Sequence, residues 1–177
     1  MGVKISELTS MGALAGTEKI PGVDSGTQYT TPTDIATYVR TAYITSPVAY
    51  TPTFTGFGTV TSITAYSWRV GSELRFEIIG TTGTVTATEA RISIGYNGTD
   101  GNVTTASTYP TLQALNGSVA INSDAQSVQG LVEASKAYIT FGVLGGGVGM
   151  LSKRNGNSLI TSGGIISVSG SVRIQGW

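Results

Sequence analysis

Between Ile166 and Ile174 every second residue is apolar or glycine. Ile166, Val168, Gly170, Val172 and Ile174 alternate with Ser167, Ser169, Ser171 and Arg173. A period of two belongs to a strand with one buried face, because a helix would scatter these side chains around its axis. The segment runs almost to Trp177, the last residue. Such a strand can sit centrally in a sheet and hold the chain terminus down.

The same pattern recurs upstream. In Glu73-Leu74-Arg75-Phe76-Glu77-Ile78, the residues Leu74, Phe76 and Ile78 share one face and the charges take the other. Tyr66, Trp68 and Val70 alternate with Ser67 and Arg69, and Gly71-Ser72 between the two runs is a good two-residue hairpin turn. The stretch from Val85 to Ile94 reads as a strand pair or a bent strand with Ile92 and Ile94 inward. Tyr138 to Val143 reads as a strand, as does Gln129 to Val132. Asn97-Gly98, Asn116-Gly117 and Asn155-Gly156 are turn signals. Many short strands with turns between them predict a mainly β chain, an antiparallel β-sandwich or jelly-roll-like unit over residues 51–177.

Composition agrees. Of 177 residues, 27 are Thr, 19 Ser and 25 Gly, while only 11% are charged. Thr suits a pleated surface, and Gly and Ser serve turns. The formal net charge is zero, so there is no electrostatic footprint for nucleic acid and little protection against self-association. With no Cys and no His, disulfides, thiol nucleophiles, the usual zinc sites and a Ser-His-Asp triad are excluded. No cofactor or metal site is expected. No run approaches the ~20 apolar residues of a membrane-spanning helix, and the first sixteen residues lack the apolar core of a secretory signal.

Residues 1–50 read differently. A helix is predicted from Thr31-Pro32-Thr33-Asp34, where Thr caps, Pro fits the first turn and Asp34 meets the positive end of the dipole. Ile35, Tyr38, Val39 and Ala42 then form one apolar stripe, and Ser46-Pro47 stops the helix. At ~12 residues it is marginal alone, so the stripe has to pack, either on its own domain or on two further copies of itself. Ahead of it, Ile5, Leu8, Ile20 and Val23 sit in short pieces too sparse for a core, which read as an extended docking arm.

Catalytic readings are weak. Glu73 and Glu77 share a strand face but lie ~13 Å apart at ~3.3 Å per residue, too far for a glycosidase pair. The other acidic residues are scattered, and a cross-strand pair among them stays open. Residues 97–102 hold several oxygen donors but lack EF-hand spacing, so a turn is the better reading. Phe54 and Phe57 read as core or strand-edge packing. Tyr96 and Tyr109, flanking the polar loop, are candidates for a contact surface.

Two stretches resemble bacteriophage virion fibre proteins. Lys4-Ile5-Ser6-Glu7-Leu8, Gly16-Thr17-Glu18-Lys19-Ile20-Pro21 and Thr33-Asp34-Ile35-Ala36 are similar to the N-terminal attachment segment of tail and head fibres. Residues 50–60, with Trp68-Arg69-Val70-Gly71 and residues 83–87, resemble the β-sandwich module that ends many such fibres. The resemblance implies a structural, non-enzymatic virion protein on the particle surface, made in the host cytoplasm. It also implies a homotrimer, an arm docked on a capsid or tail protein, a trimeric helical neck, and a distal knob that touches a host surface glycan or protein. The short distance from helix to β unit favours a stubby head fibre or short tail fibre. A virion-associated polysaccharide-degrading enzyme and a free carbohydrate-binding module are the alternatives.

Overall fold

The structure is a computed structural model that describes residues 20–21, 29–30, 43–121, 128–144 and 151–177. The chain divides into two units, Met1–Ile44 and Thr45–Trp177. In the first, strand β1 (Ile20–Pro21) pairs antiparallel with β2 (Tyr29–Thr30), Ile20 opposite Thr30. The other expected arm residues Ile5, Leu8 and Val23, and the helix-stripe residues Ile35, Tyr38, Val39 and Ala42, lie outside the described residues, as does the side chain of Ile20.

The second unit is mainly β. Its strands begin with β3 (Val48–Ala49), β4 (Phe54–Thr55), β5 (Thr61–Val70), β6 (Glu73–Thr81), β7 (Arg91–Ser93), β8 (Gly95–Tyr96) and β9 (Thr99–Asp100). There follow β10 (Gln113–Ala114), β11 (Asn116–Ile121), β12 (Val128–Val132), β13 (Tyr138–Leu144), β14 (Leu151–Lys153) and β15 (Ile165–Arg173). One sheet has the order β11-β15-β6-β5-β3, and the other β10-β12-β13-β7-β4 with β14 also on β13. All their pairings are antiparallel. Two sheets sharing one core is the layered arrangement of a β-sandwich.

The core follows from the alternation. Leu74, Phe76 and Ile78 of β6 and Ile166, Val168 and Val172 of β15 point inward, where they join Ile92, Ile139 and Phe141 of the other sheet in one buried cluster. Each such side chain contributes about 1.5–3 kcal/mol when fully buried. β15 is central, flanked by β11 and β6. The β5–β6 hairpin turns at Gly71-Ser72, with Val70 opposite Glu73 and Gly71 at φ 62.

Two local readings change, and a third set gains its direction. Asn116-Gly117 opens β11 instead of making a turn. A Cβ on Gly117 would lie 2.0 Å from the Ser169 carbonyl, so glycine here permits the close approach of β15. From Val85 to Ile94 only Arg91–Ser93 is a strand, although Ile92 and Ile94 are fully buried as expected. The backbone before it is held instead by scattered bonds, such as Thr86 N–H to the Gly56 carbonyl and Ala90 N–H to the Arg154 carbonyl. Tyr66, Trp68 and Val70 do share a face, and it is the outward one: Ser67 stands opposite buried Phe76, which assigns Ala65 and Ser67 to the core side.

Candidate functional site

The register of the β5–β6 hairpin determines what the outer face of the five-stranded sheet presents. Tyr66 stands beside Glu77, then Ser169, then Ser118. One step along, Trp68 stands beside Arg75, then Ser171, then Asn116. Val70, Glu73 and Arg173 form the next row. Neighbouring strands lie ~4.8 Å apart, so each row is continuous. At the β11 side the polar groups engage one another: the Ser118 and Ser169 hydroxyls are 2.9 Å apart, and Asn116 Nδ2 donates to Ser171 Oγ at 3.2 Å. At the β6 side they do not. Among the described residues nothing hydrogen-bonds to or ion-pairs with the side chains of Glu73, Arg75 or Glu77. Tyr66 and Ile79 on this face are 42% and 41% exposed, high for large apolar side chains. Trp68, Glu73, Arg75, Asn116 and Ser171 line a cleft of about 270 Å³. A second cleft, of about 380 Å³, meets Tyr66, Tyr50, Thr51 and Gly98 at the β3 end.

The charged side chains at the edge of the other sheet are engaged with one another. Arg91 Nε donates to Glu89 Oε1 at 2.7 Å, and Lys153 Nζ lies 2.6 Å from Glu133 and 3.6 Å from Glu89. The Arg91 guanidinium also stacks 4.5 Å over the Tyr138 ring. The hydrogen bond to Glu89 holds Arg91 above its ordinary value. Burial opposes the charge on Lys153, but the Glu133 hydrogen bond and the two carboxylates outweigh it and hold this ammonium above its usual range. Among the described residues, the scattered carboxylates that the fold brings to one cation are Glu89 and Glu133, with the Lys153 ammonium between them. A glycosidase pair needs that space for the sugar and water.

The two tyrosines expected at a contact surface are half-buried against the core. Tyr96 packs edge-on against Trp177 at 4.8 Å, and Arg69 lies 4.6 Å over the same indole. The Tyr109 hydroxyl accepts from the Arg173 N–H at 2.8 Å, and its ring lies beneath the Arg173 guanidinium at 4.8 Å. The polar loop between them is the β8–β9 hairpin, turning at Asn97-Gly98 with positive φ at both residues. The Asp100 carboxylate accepts from Ser93 Oγ at 2.5 Å and Thr53 Oγ1 at 2.8 Å. Phe54 and Phe57 stack edge-to-face in the core, Phe57 fully buried.

Beside Asp100, Tyr50 is 6% exposed, and burial followed by the Asp100 charge pushes its phenol well above the usual range, against a smaller opposing hydrogen bond with Gly95. A folded-state pKa raised above the unfolded one stabilises below the unfolded value and is lost above it. Stability therefore falls as pH rises past about 10, where the unfolded phenol ionises. Tyr50→Phe should flatten this alkaline slope in urea titrations between pH 9 and 11. An unchanged slope would show that Tyr50 does not couple ionisation to folding.

The residues that sequence reasoning passed over are Trp68 and Arg75. The two-residue turn at Gly71-Ser72 sets them opposite each other, so their pairing was implicit in the hairpin register. Comparison with protein-family models, curated proteins and solved structures finds no match to this chain.

Proposed function

We propose that this chain is a structural, adhesive subunit of a bacteriophage fibre, whose jelly-roll-like β unit meets a bacterial surface through the outer face of the β11-β15-β6-β5-β3 sheet. The observation that carries the adhesive part is the contrast between charged clusters: Arg91, Lys153, Glu89 and Glu133 satisfy one another, while Glu73, Arg75 and Glu77 have no side-chain partner among the described residues and stand beside exposed Tyr66 and the Trp68 cleft. Unengaged donors and acceptors beside aromatic rings are what a recognition surface needs.

The virion part rests on the motifs of residues 4–36. In this reading Ile5, Leu8, Ile20 and Val23 dock the arm on a capsid or tail protein. The stripe Ile35, Tyr38, Val39 and Ala42 packs three copies into a neck. Trimerisation multiplies weak contacts, because linked sites engage one surface at high effective concentration. Such a protein is no enzyme and requires no cofactor.

Binding of the purified chain to bacterial envelopes, followed by co-sedimentation, tests the adhesive face. The double variant Tyr66→Ala/Trp68→Ala should lower the bound fraction at least about tenfold, the loss expected when two exposed aromatic anchors are removed from a multivalent contact. Glu89→Gln, at the edge of the other sheet, should leave it unchanged. Equal binding by the double variant and the native chain would remove this face from the function.

A further inference from the structure

We infer that the Trp68 cleft is a binding site for a neutral glycan chain, an inference that rests on the adhesive reading of the same face. Tyr66 and Trp68 are two positions apart on one face of one strand, so their attachment points stand ~6.6 Å apart along it, within the span of adjoining sugar rings. The sugar face bearing C–H groups is apolar and packs on an aromatic ring, while hydroxyls at the sugar's rim need donors and acceptors in the same plane. Arg75 supplies up to five N–H donors, Glu73 and Glu77 supply acceptors, and Asn116 and Ser171 supply both. Four of the five lie within two strand spacings of Trp68 and Asn116 lies three away, on the far wall of the same cleft; among the described residues Glu73, Arg75 and Glu77 make no side-chain bond.

Charge selects among ligands. Glu73 and Glu77 flank Arg75 on β6, and Arg173 stands opposite Glu73, so the face carries two charges of each sign. A polyanion would meet both carboxylates, and a polycation both guanidiniums; a neutral polyol meets only hydrogen-bonding groups. The two aromatic rings and Arg75 suit a protein partner as well as a sugar, but the rows behind them carry Ser118, Ser167, Ser169, Ser171, Glu73 and Glu77, residue types depleted in protein interfaces.

The chain contains two tryptophans, so two indole N–H signals distinguish the site, at Trp68, from the Trp177 ring that Arg69 covers. Full-length protein labelled with nitrogen-15 is titrated with cellohexaose, maltohexaose, mannohexaose and chitohexaose, and with hexagalacturonate as the anionic counterpart. At least one neutral hexamer should move the Trp68 signal saturably without moving that of Trp177, and hexagalacturonate should not. Trp68→Ala should weaken binding about tenfold, the factor that ~1.4 kcal/mol represents, with Trp68→Phe keeping part of it and both variants melting like the native chain. No saturable shift from any neutral hexamer up to about 10 mM, beyond the millimolar affinities that multivalency rescues, would overturn the inference, as would a response to hexagalacturonate alone. The envelope assay separates the two levels. Adhesion that needs Tyr66 and Trp68 yet is competed by none of the four neutral hexamers at about 10 mM overturns the glycan and leaves the adhesive face standing. Adhesion indifferent to both aromatics overturns both.

Discussion

Phe57→Ala should lower the unfolding free energy of the β unit by about 3–5 kcal/mol, the range for truncating a buried phenylalanine. Phe57 is fully buried in the link between β4 of one sheet and β5 of the other. Its ring lies edge-to-face with Phe54 at 6.2 Å and with Phe141 at 5.7 Å. Truncation removes the transfer free energy, leaves a cavity between rigid neighbours, and breaks two aromatic pairs each worth about 0.5–1.5 kcal/mol. Against a typical stability of about 5–15 kcal/mol that is a large fraction, and it corresponds to a fall in melting temperature of roughly 10–20 °C for a unit of this size. Tyr66→Ala, on the open face, should change stability by only about 0.5 kcal/mol. Calorimetry on the two variants checks the contrast; a loss under about 1 kcal/mol for Phe57→Ala would mean that this ring is not central to the core.

Gly156→Ala should be costly for a different reason. Gly156 opens the 3-10 turn Gly156–Ser158, and a Cβ there would lie 1.9 Å from the Gly56 carbonyl oxygen and 2.5 Å from its carbon. Those atoms are backbone, and the Gly56 carbonyl is already fixed by the Thr86 N–H at 3.0 Å, while the Gly156 N–H donates to the Thr88 carbonyl at 3.0 Å. Nothing can swing aside, so two loops must separate and their bonds lengthen, a cost of about 2–3 kcal/mol for overpacking. Gly163→Ala is the comparison. Gly163 has φ 79 but nothing within 4 Å of the added carbon, so only the left-handed backbone is penalised, by about 1–2 kcal/mol. Urea midpoints at unchanged m separate the two. A larger loss for Gly163→Ala would show that backbone conformation, not the contact with Gly56, dominates.

What the sequence made legible depended on run length. Nine alternating residues in β15 and a two-residue turn between β5 and β6 leave little freedom of register, and both elements stand where the pattern puts them. β3, β4 and β10 have two residues each, too few to carry a period. Asn116-Gly117 misled because the same dipeptide serves a turn and a close strand approach, and only the position of Ser169 distinguishes them. The outward set of Tyr66, Trp68 and Val70 was visible as a set. Its direction was not, because Ser67 is polar and yet lies on the core side opposite Phe76. Tyr96 and Tyr109 are half-buried because Trp177 packs on the one and Arg173 on the other, long-range contacts that no local pattern announces.

In the proposed fibre the chain works as one third of an assembly, the apolar stripe of residues 35–42 shared among copies and the sheet face repeated on each. Light scattering on the full chain at micromolar concentration tests this directly. It predicts three times the 18.2 kDa of a single chain, about 55 kDa. A stable species of 18.2 kDa would contradict it.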